Sequence, residues 1–534
     1  MASETAHARA GRALLAWVAR HTGGTVHPEL TTRTFGGMEG LACGASLSAG
    51  ELIIRVPVEA CGRRLSDAPP AECAPAEARE AHERDEKDMR GMRLLVSALR
   101  EIAVDLSSDG GTAAAAMSEV ALRVLLSPEP LYRLYRARWL QCGDDVIPEM
   151  FTDEELAALQ SDKVADTVRA RRAWAENVLA ALPWAAAGIA PVTFANFVAV
   201  LHAVRSHIHR VHLSTKEHAG EIESETTAST SADSEKRDPR DLLVARANYL
   251  AEDDVLALVP GVDLANHAFQ GTPQCNTVRT FDGANMCFEI HAARALPAGH
   301  ELCFDYSAQA PMPSYQLFMT YGFVARDNPN DEILVDFRDD FRDCFRAAEG
   351  DPDCRAATAA TMSDQALAKI RLRLLQRSGA TSANQSTGFF VKGHVIARRS
   401  DCDLRGDGGK ITMWARMLTT PREAFEKPST EALLLAGKPV SVTAELLALR
   451  LLVRKMAVMR SESQTTYSED VALLEGIRGG AGASEKGGAA GAPSPSSTHV
   501  TTAIQFRLAG KQLENDLLVA FGKRKRAVGK ILAN

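Results

Sequence analysis

The sequence predicts an α+β protein: a β-rich domain broken by a helical insert, followed by an all-α C-terminal domain. Three observations carry this reading. Residues 33–58, RTFGGMEGLACGASLSAGELIIRVPV, read as β-structure broken by glycines at 36, 37 and 40. A second β-rich stretch ends in ALPAGHELCFDY (295–306), which echoes SLSAGELIIRVP (46–57): a small residue, Ala-Gly, then an apolar strand. Between the two, and again beyond about residue 340, apolar residues recur at three- and four-residue spacing, as amphipathic helices require.

Taken in order, Leu14, Leu15, Trp17 and Val18 predict a short helix that ends at Gly23-Gly24. The same segment is rich in Ala and Arg and poor in acids, so a plastid or mitochondrial address stays open beside a cytoplasmic or nuclear one. Ser48-Ala49-Gly50 is a turn that launches LIIRVPV, and 61–85 is a Pro/Ala/Glu-rich connection. From 86 to 210 the pattern is helical through MRLLVSALREIAVDL, PEMFTDEELAALQ, RRAWAENVLAALPW and FANFVAVLHAVRSHIHR. Thr152 with Glu155 forms a capping box at the start of one of these helices. Residues 214–240 lack large apolar side chains and are expected to be disordered. TVRTF, Asp282-Gly283 and ANMCFEI predict a hairpin whose Asp-Gly pair supplies the positive-φ turn. SDQALAKIRLRLLQ, TAELLALRLLVRKM and AIQFRLAGKQLENDLLVAF build the C-terminal helices, with a flexible Gly/Ala/Ser/Pro loop at 478–498. The expected domains are therefore 1–330 and 331–534.

Composition narrows the function. The 534 residues are 46% hydrophobic and 24% charged with net charge −7, an ordinary globular balance that argues against a broad nucleic-acid surface. The basic run GKRKRAVGK (522–530) reads as the solvated end of a last helix. No apolar run approaches the ~20 residues of a membrane span. Ten scattered cysteines with no CxxC pair indicate a reducing compartment and no structural zinc. His202, His207, His209 and His212 have no neighbouring carboxylate or cysteine to complete a metal site.

The stretch that carries chemistry is VPGVDLANHAFQGTPQCN (259–276), with Asp263, Asn266 and His267 within five positions and a second asparagine, Asn276. Asn and His together offer donors and acceptors but no strong nucleophile, a set suited to holding a ligand rather than attacking one.

These pieces, in this order, resemble the SET-domain protein methyltransferases of the Rubisco large-subunit lysine methyltransferase type. GGMEGLACGASLSAGELIIRVP is similar to that family's glycine-rich opening, and LYRLYRARWLQCGDDVIPEMFTDEELAAL to its helical insert. VPGVDLANH is similar to its asparagine-histidine motif, followed by ELCFDY and YGF (321–323); TYSEDVALL and AIQFRLAGKQLENDLL look like its helical substrate-binding domain. The resemblance implies a SET-type β-rich domain with a knot-like chain crossing, and S-adenosylmethionine as methyl donor. The acceptor implied is a lysine on a non-histone protein, since no cysteine-rich segment follows YGF. Histidine methylation of the actin type and an inactive protein-docking module stay open as alternatives. A monomer that docks its substrate protein on the C-terminal helices is expected, with neither nucleic acid nor membrane as partner.

Carried over residue by residue, the resemblance makes Asn266 and His267 the adenine-binding pair, with Asp263 holding their segment. Gly37 and Glu39 approach the cofactor through backbone atoms. Tyr306 matches the catalytic tyrosine, and Tyr321 and Phe323 the aromatic wall of the amine channel, with Phe323 also counted toward the cofactor. Ser206 and His207 fall where plant members carry Ser-Arg, so His207 stands in place of the arginine that contacts the cofactor carboxylate. A neutral imidazole pairs with a carboxylate less strongly than a forked guanidinium, which leaves neighbouring Arg205 as a second candidate for that contact.

Overall fold

The computed structural model describes residues 6–21, 23–35, 38–63, 79–106, 111–140, 146–212, 254–306, 312–337, 340, 362–377, 394–403, 409–484 and 495–533. The predicted disordered stretch 214–240, most of the 61–85 connection and the glycine pair Gly36-Gly37 lie outside these residues.

Helix α1 (Ala6–Arg20) leads into strands β1 (Thr25–Val26), β2 (Leu30–Phe35), β3 (Met38–Cys43), β4 (Leu52–Pro57) and β5 (Gly62–Arg63). Its Leu14, Leu15 and Val18 are buried, as their spacing requires. The insert follows: α2 (Arg79–Leu106), α3 (Gly111–Leu126), α4 (Pro130–Trp139), α5 (Asp153–Ala158), α6 (Asp162–Ala181), α7 (Trp184–Ala187) and α8 (Phe194–His207). The capping box at α5 is complete: Glu155 N–H donates to Thr152 Oγ1 at 3.2 Å and Thr152 N–H to Glu155 Oε2 at 2.7 Å. The helical pattern of FANFVAVLHAVRSHIHR stops at His207, and Ile208–His212 is strand β6. Pairing with β7 (Asp254–Leu258), which also pairs β5, outweighs the helical periodicity there.

β-structure resumes with β8 (Asn266–His267), β9 (Thr277–Asp282), β10 (Cys287–Ala292) and β11 (Glu301–Phe304). One sheet runs β1-β4-β10-β9 and a second β2-β3-β11-β8, in which β11 and β8 are parallel. The two similar Ala-Gly turns meet in space: Leu47 and Leu296 exchange reciprocal backbone hydrogen bonds of 2.9 Å, and Gly50 and Gly299 adopt matching φ of 78° and 80°. The β9–β10 hairpin forms, but not through a positive-φ Asp-Gly pair. Asp282 Oδ1 accepts the backbone N–H groups of Ala284 and Asn285, and the positive φ falls on Met286 at 51°. A carboxylate that ties down two loop amides favours this longer loop over the two-residue turn.

After α9 (Ser314–Tyr321) comes a two-stranded antiparallel ladder of β12 (Glu332–Asp336) and β13 (His394–Arg398), which the sequence pattern does not announce. The remaining elements are helices α10 (Met362–Arg377), α11 (Gly409–Thr419), α12 (Thr430–Leu435), α13 (Val442–Glu462), α14 (Tyr467–Ser484) and the long α15 (Pro495–Ala533). The segment 478–484, read from sequence as part of a loop, continues α14.

The larger core joins strand residues such as Leu41, Ile53, Ile54, Phe288 and Leu302 to Tyr132, Tyr135 and Phe197 of the insert. A second core unites Phe337, Trp414, Leu449, Leu452, Leu513 and Phe521 under the C-terminal helices. A third, smaller cluster of Phe151, Leu156, Val168, Phe318 and Ala503 joins insert, α9 and α15. It sets α9, and with it the aromatic residues that follow, against the rest of the site.

Candidate active site

The site is assembled where β8 lies beside β11. Cys303 pairs with Asn266 and Phe304 with His267, so ELCFDY and the Asn-His pair run parallel and deliver Tyr306 next to His267. Asn276 clamps the same strand: its Nδ2 donates to Glu301 O at 2.8 Å and its Oδ1 accepts Cys303 N–H at 3.0 Å. The side-chain amide thereby adds to the backbone bond from Asn276 N–H to Cys303 O at 3.1 Å and ties the segment to β11.

Asn266 Nδ2 donates to the Glu39 carbonyl at 3.1 Å and to Glu301 Oε1 at 2.7 Å. This reach is possible because residue 40 is glycine. A Cβ there would lie 2.7 Å from both Asn266 Nδ2 and Glu301 Oε1. The Glu39 carboxylate is paired with Arg138 Nη1 at 2.9 Å, both side chains being largely buried. Asp263 sits in the turn just before Asn266; its Oδ1 accepts the Gly261 N–H at 3.1 Å. Burial pushes its carboxyl up to about 7, against the opposing pull of Tyr135 and Arg138.

His267 Nδ1 accepts the backbone N–H of Tyr306 at 3.1 Å, which leaves the ring proton on Nε2. That Nε2 is buried with no hydrogen-bond partner among the described residues. Burial lowers the imidazole's pKa, with Asp305 opposing, so the ring is held neutral. The Tyr306 hydroxyl donates to the Ala265 carbonyl at 2.7 Å. Burial drives its pKa far above the ordinary phenol value, and Tyr321 is pushed up to about 12 by the same cause. Around these groups the rings form a continuous wall. Centroids are 5.1 Å apart for His267–Tyr306, 4.8 Å for Tyr306–Tyr321, 6.0 Å for Tyr321–Phe323 and 5.9 Å for His267–Phe323. Gly322 permits the sharp exit from α9 between them, with φ of 76° and no room for a Cβ against Val146 O.

The structure therefore brings together Glu39, Asp263, Asn266, His267, Tyr306, Tyr321 and Phe323; Gly37 lies outside the described residues. Ser206 and His207 end α8. His207 Nδ1 is 2.8 Å from Ala203 O and 2.7 Å from Ser206 Oγ, and its ring leans on Trp139 at 5.5 Å. Arg205 is committed elsewhere, to Glu149 Oε1 at 2.6 Å in a buried cluster with Arg171. His202 belongs to that cluster, and burial lowers its pKa to about 4. Sequence reasoning missed Arg138, Glu301 and Arg279. Arg279 had a signal, the period-2 alternation of β9, in which 277, 279 and 281 turn inward.

The comparisons agree with this geometry. A family model described as the SET domain matches residues 39–307. A curated relative, SET domain-containing protein 4 of Artemia parthenogenetica, is 30% identical over 91 residues, 17% of this chain and 21% of that protein. The match thus spans about a fifth of that relative's length. Among solved structures, Rubisco LSMT bound to AdoMet is similar over 98% of this chain and 93% of its own, with TM-score 0.52 and 14% identity. The SET domain of LSMT bound to lysine and AdoHcy gives TM-score 0.53 at 13% identity, over the same shares of the two chains. With the family model covering half of the chain, and with the strands, insert and helical C-terminal region arranged as in these structures, this protein belongs to the SET-domain family.

Proposed function

We propose that this protein is a protein-lysine methyltransferase that uses S-adenosylmethionine as methyl donor and acts on a non-histone protein docked by the C-terminal helices. The observation that carries the reading is the junction of β8 and β11, which sets Asn266 and His267 against Tyr306 and the Tyr321–Phe323 wall. The similar structures are of LSMT bound to AdoMet, and to lysine with AdoHcy, which supports the same ligand classes here.

The residues present fit such a donor. The buried Nε2–H of His267, unpartnered among the described residues, is a donor that a ligand acceptor would satisfy, and Gly40 keeps the Glu39–Asn266 approach open. Asn266, His267 and the Glu39 backbone would hold it. When bound, the donor supplies an electrophilic methyl on a sulfonium. The chain's own residues do the rest. Ring faces of Tyr321 and Phe323 accept an aliphatic stem. The Tyr306 hydroxyl, kept protonated by burial and directed by Ala265 O, serves as a fixed dipole and not as a general base. Alignment of the reacting groups by this wall supplies part of the barrier reduction, about 7–11 kcal/mol in well-oriented cases.

The test is incubation with radiolabelled S-adenosylmethionine and a protein extract, comparing wild type with Tyr306→Phe. A labelled protein that disappears in the variant supports the reading, and mass spectrometry identifies the methylated residue. Cofactor binding without any labelled protein would point instead to a docking module.

A further inference from the structure

Arg279 turns inward from β9 toward the aromatic rings of the site. Its Nη1 donates to His209 Nδ1, and its Cζ lies 5.5 Å from the centroid of Phe304, whose ring is in turn 5.2 Å from Tyr306. The charge is felt at both Tyr306 and Tyr321. No carboxylate among the described residues pairs with it. A guanidinium does not deprotonate and only donates hydrogen bonds, so His209 must accept through Nδ1 and is itself neutral. The other groups that face this corner are His207 at the end of α8, Tyr321 on α9, Tyr306, Asp305 and Cys303 from the β11 strand and its exit, and, on the far side of Tyr306, Asp263 and Arg138. Two carboxyls belong to this set: Asp305, which accepts the Gln270 N–H at 2.8 Å and lies 3.8 Å from His267, and Asp263, which acts on Tyr306. Among the described residues neither carboxyl forms an ion pair or hydrogen bond with the Arg279 guanidinium, whose partner is His209.

Resting on the proposed lysine methyltransferase reading, we infer that Arg279 is a positioning residue of the acceptor pocket whose fixed positive charge selects the uncharged form of the incoming amine. A cation beside the Tyr306–Tyr321 face makes an ammonium costly and leaves a neutral amine almost untouched. Its field already acts in that sense on Tyr321, where Arg279 opposes the rise caused by burial. Methyl transfer to an amine needs a free lone pair on its nitrogen, and free lysine titrates near 10.4. Depressing that value inside the pocket raises the reactive fraction at neutral pH. The position thus contributes to the reaction without contact with the reacting methyl.

The test reads protonation directly. N-methylbutylamine, 13C-labelled in its N-methyl group, is titrated by NMR in the presence of the full-length protein saturated with S-adenosylhomocysteine. Wild type is compared with Arg279→Met, which keeps a long side chain without charge, and Arg279→Lys, which keeps the charge; thermal melting establishes that each is folded. The expected result is a bound amine that titrates below its free value in wild type and in Arg279→Lys, and returns upward by about one pH unit or more in Arg279→Met. Equal titration in wild type and a folded Arg279→Met would overturn the inference, leaving Arg279 a packing residue. Failure of wild type to bind the amine despite bound S-adenosylhomocysteine would overturn it too. Failure to bind S-adenosylhomocysteine at all would overturn the proposed function itself.

Discussion

His267 Nδ1 accepts the backbone N–H of Tyr306 at 3.1 Å, so the Asn-His segment and the end of ELCFDY are joined by one bond that requires a neutral imidazole. Protonation at Nδ1 would replace the acceptor with a donor facing another donor. Burial depresses the folded-state pKa below the ordinary histidine value, so the contribution is fully present above about 6.5 and is lost as pH falls through the depressed value. Affinity for S-adenosylhomocysteine is expected to be flat from pH 7 to 9 and to decline below the ordinary histidine range. Isothermal titration across that range checks it; an affinity that rises on acidification would refute the assignment.

His267→Ala removes both the bond to Tyr306 and the buried Nε2–H. The loss of a buried donor and of an acceptor for Tyr306 N–H is worth about 1–3 kcal/mol, and cofactor affinity is expected to fall about tenfold or more. Thermal melting with and without S-adenosylhomocysteine separates this from global unfolding, because the ligand-induced shift shrinks more than the melting temperature of the ligand-free protein.

Tyr306→Phe leaves the Ala265 carbonyl without its 2.7 Å donor while it keeps the ring against Tyr321. We expect methyl transfer to drop by about 10²–10³ with cofactor affinity nearly unchanged. Because burial raises the Tyr306 pKa, wild-type activity is expected to show no loss from ionisation of this phenol up to pH 10. An alkaline limb in wild type that vanishes in the variant would contradict the role of fixed dipole.

Gly40→Ala inserts a methyl 2.7 Å from Asn266 Nδ2 and from Glu301 Oε1 and is expected to cost about 1–3 kcal/mol. Gly283→Ala, in the β9–β10 loop with nothing within 4 Å of its added Cβ and no positive φ, serves as the control and is expected to be neutral. Denaturant titration of the two variants decides the point; equal stability would show that the Glu39–Asn266 approach is looser than drawn.

Asp470 links α14 to α15 and to the insert: its carboxylate takes Lys511 Nζ and Arg507 Nη2 at 2.6 Å each, and Thr465 Oγ1 at 2.7 Å, while Lys511 also reaches Gln160. Burial works against the charged carboxylate, but these donors win and hold the pKa below the ordinary aspartate range. The stability it provides is present above the usual aspartate pKa and disappears as pH falls through the lowered one. Asp470→Asn leaves two largely buried cations unpaired, and about 3–5 kcal/mol of destabilisation is expected. A melting temperature unchanged at pH 7 would dispose of this account.

What the sequence determined by itself is local or periodic. The Leu14–Val18 spacing, the Thr152–Glu155 capping box, the two Ala-Gly turns and the amphipathic C-terminal helices are written in neighbouring residues, because helix faces, caps and turns are set by chemistry within a few positions. The ordered motifs likewise identified Asn266, His267, Tyr306 and Tyr321 as residues that belong together. Tertiary structure alone decided how they meet. Asn266 reaches Glu39 across 227 positions and Glu301 across 35, Arg138 reaches Glu39 across 99, and Arg279 reaches His209 across 70. It also overrode local signals, ending α8 at His207 to feed β6 and moving the positive φ of the β9–β10 loop from Gly283 to Met286. Nothing in the residues around 279 says that a guanidinium will lie beside two buried phenols. That follows from strand pairing and burial, which bring distant charges together and strip them of water only once the chain has folded.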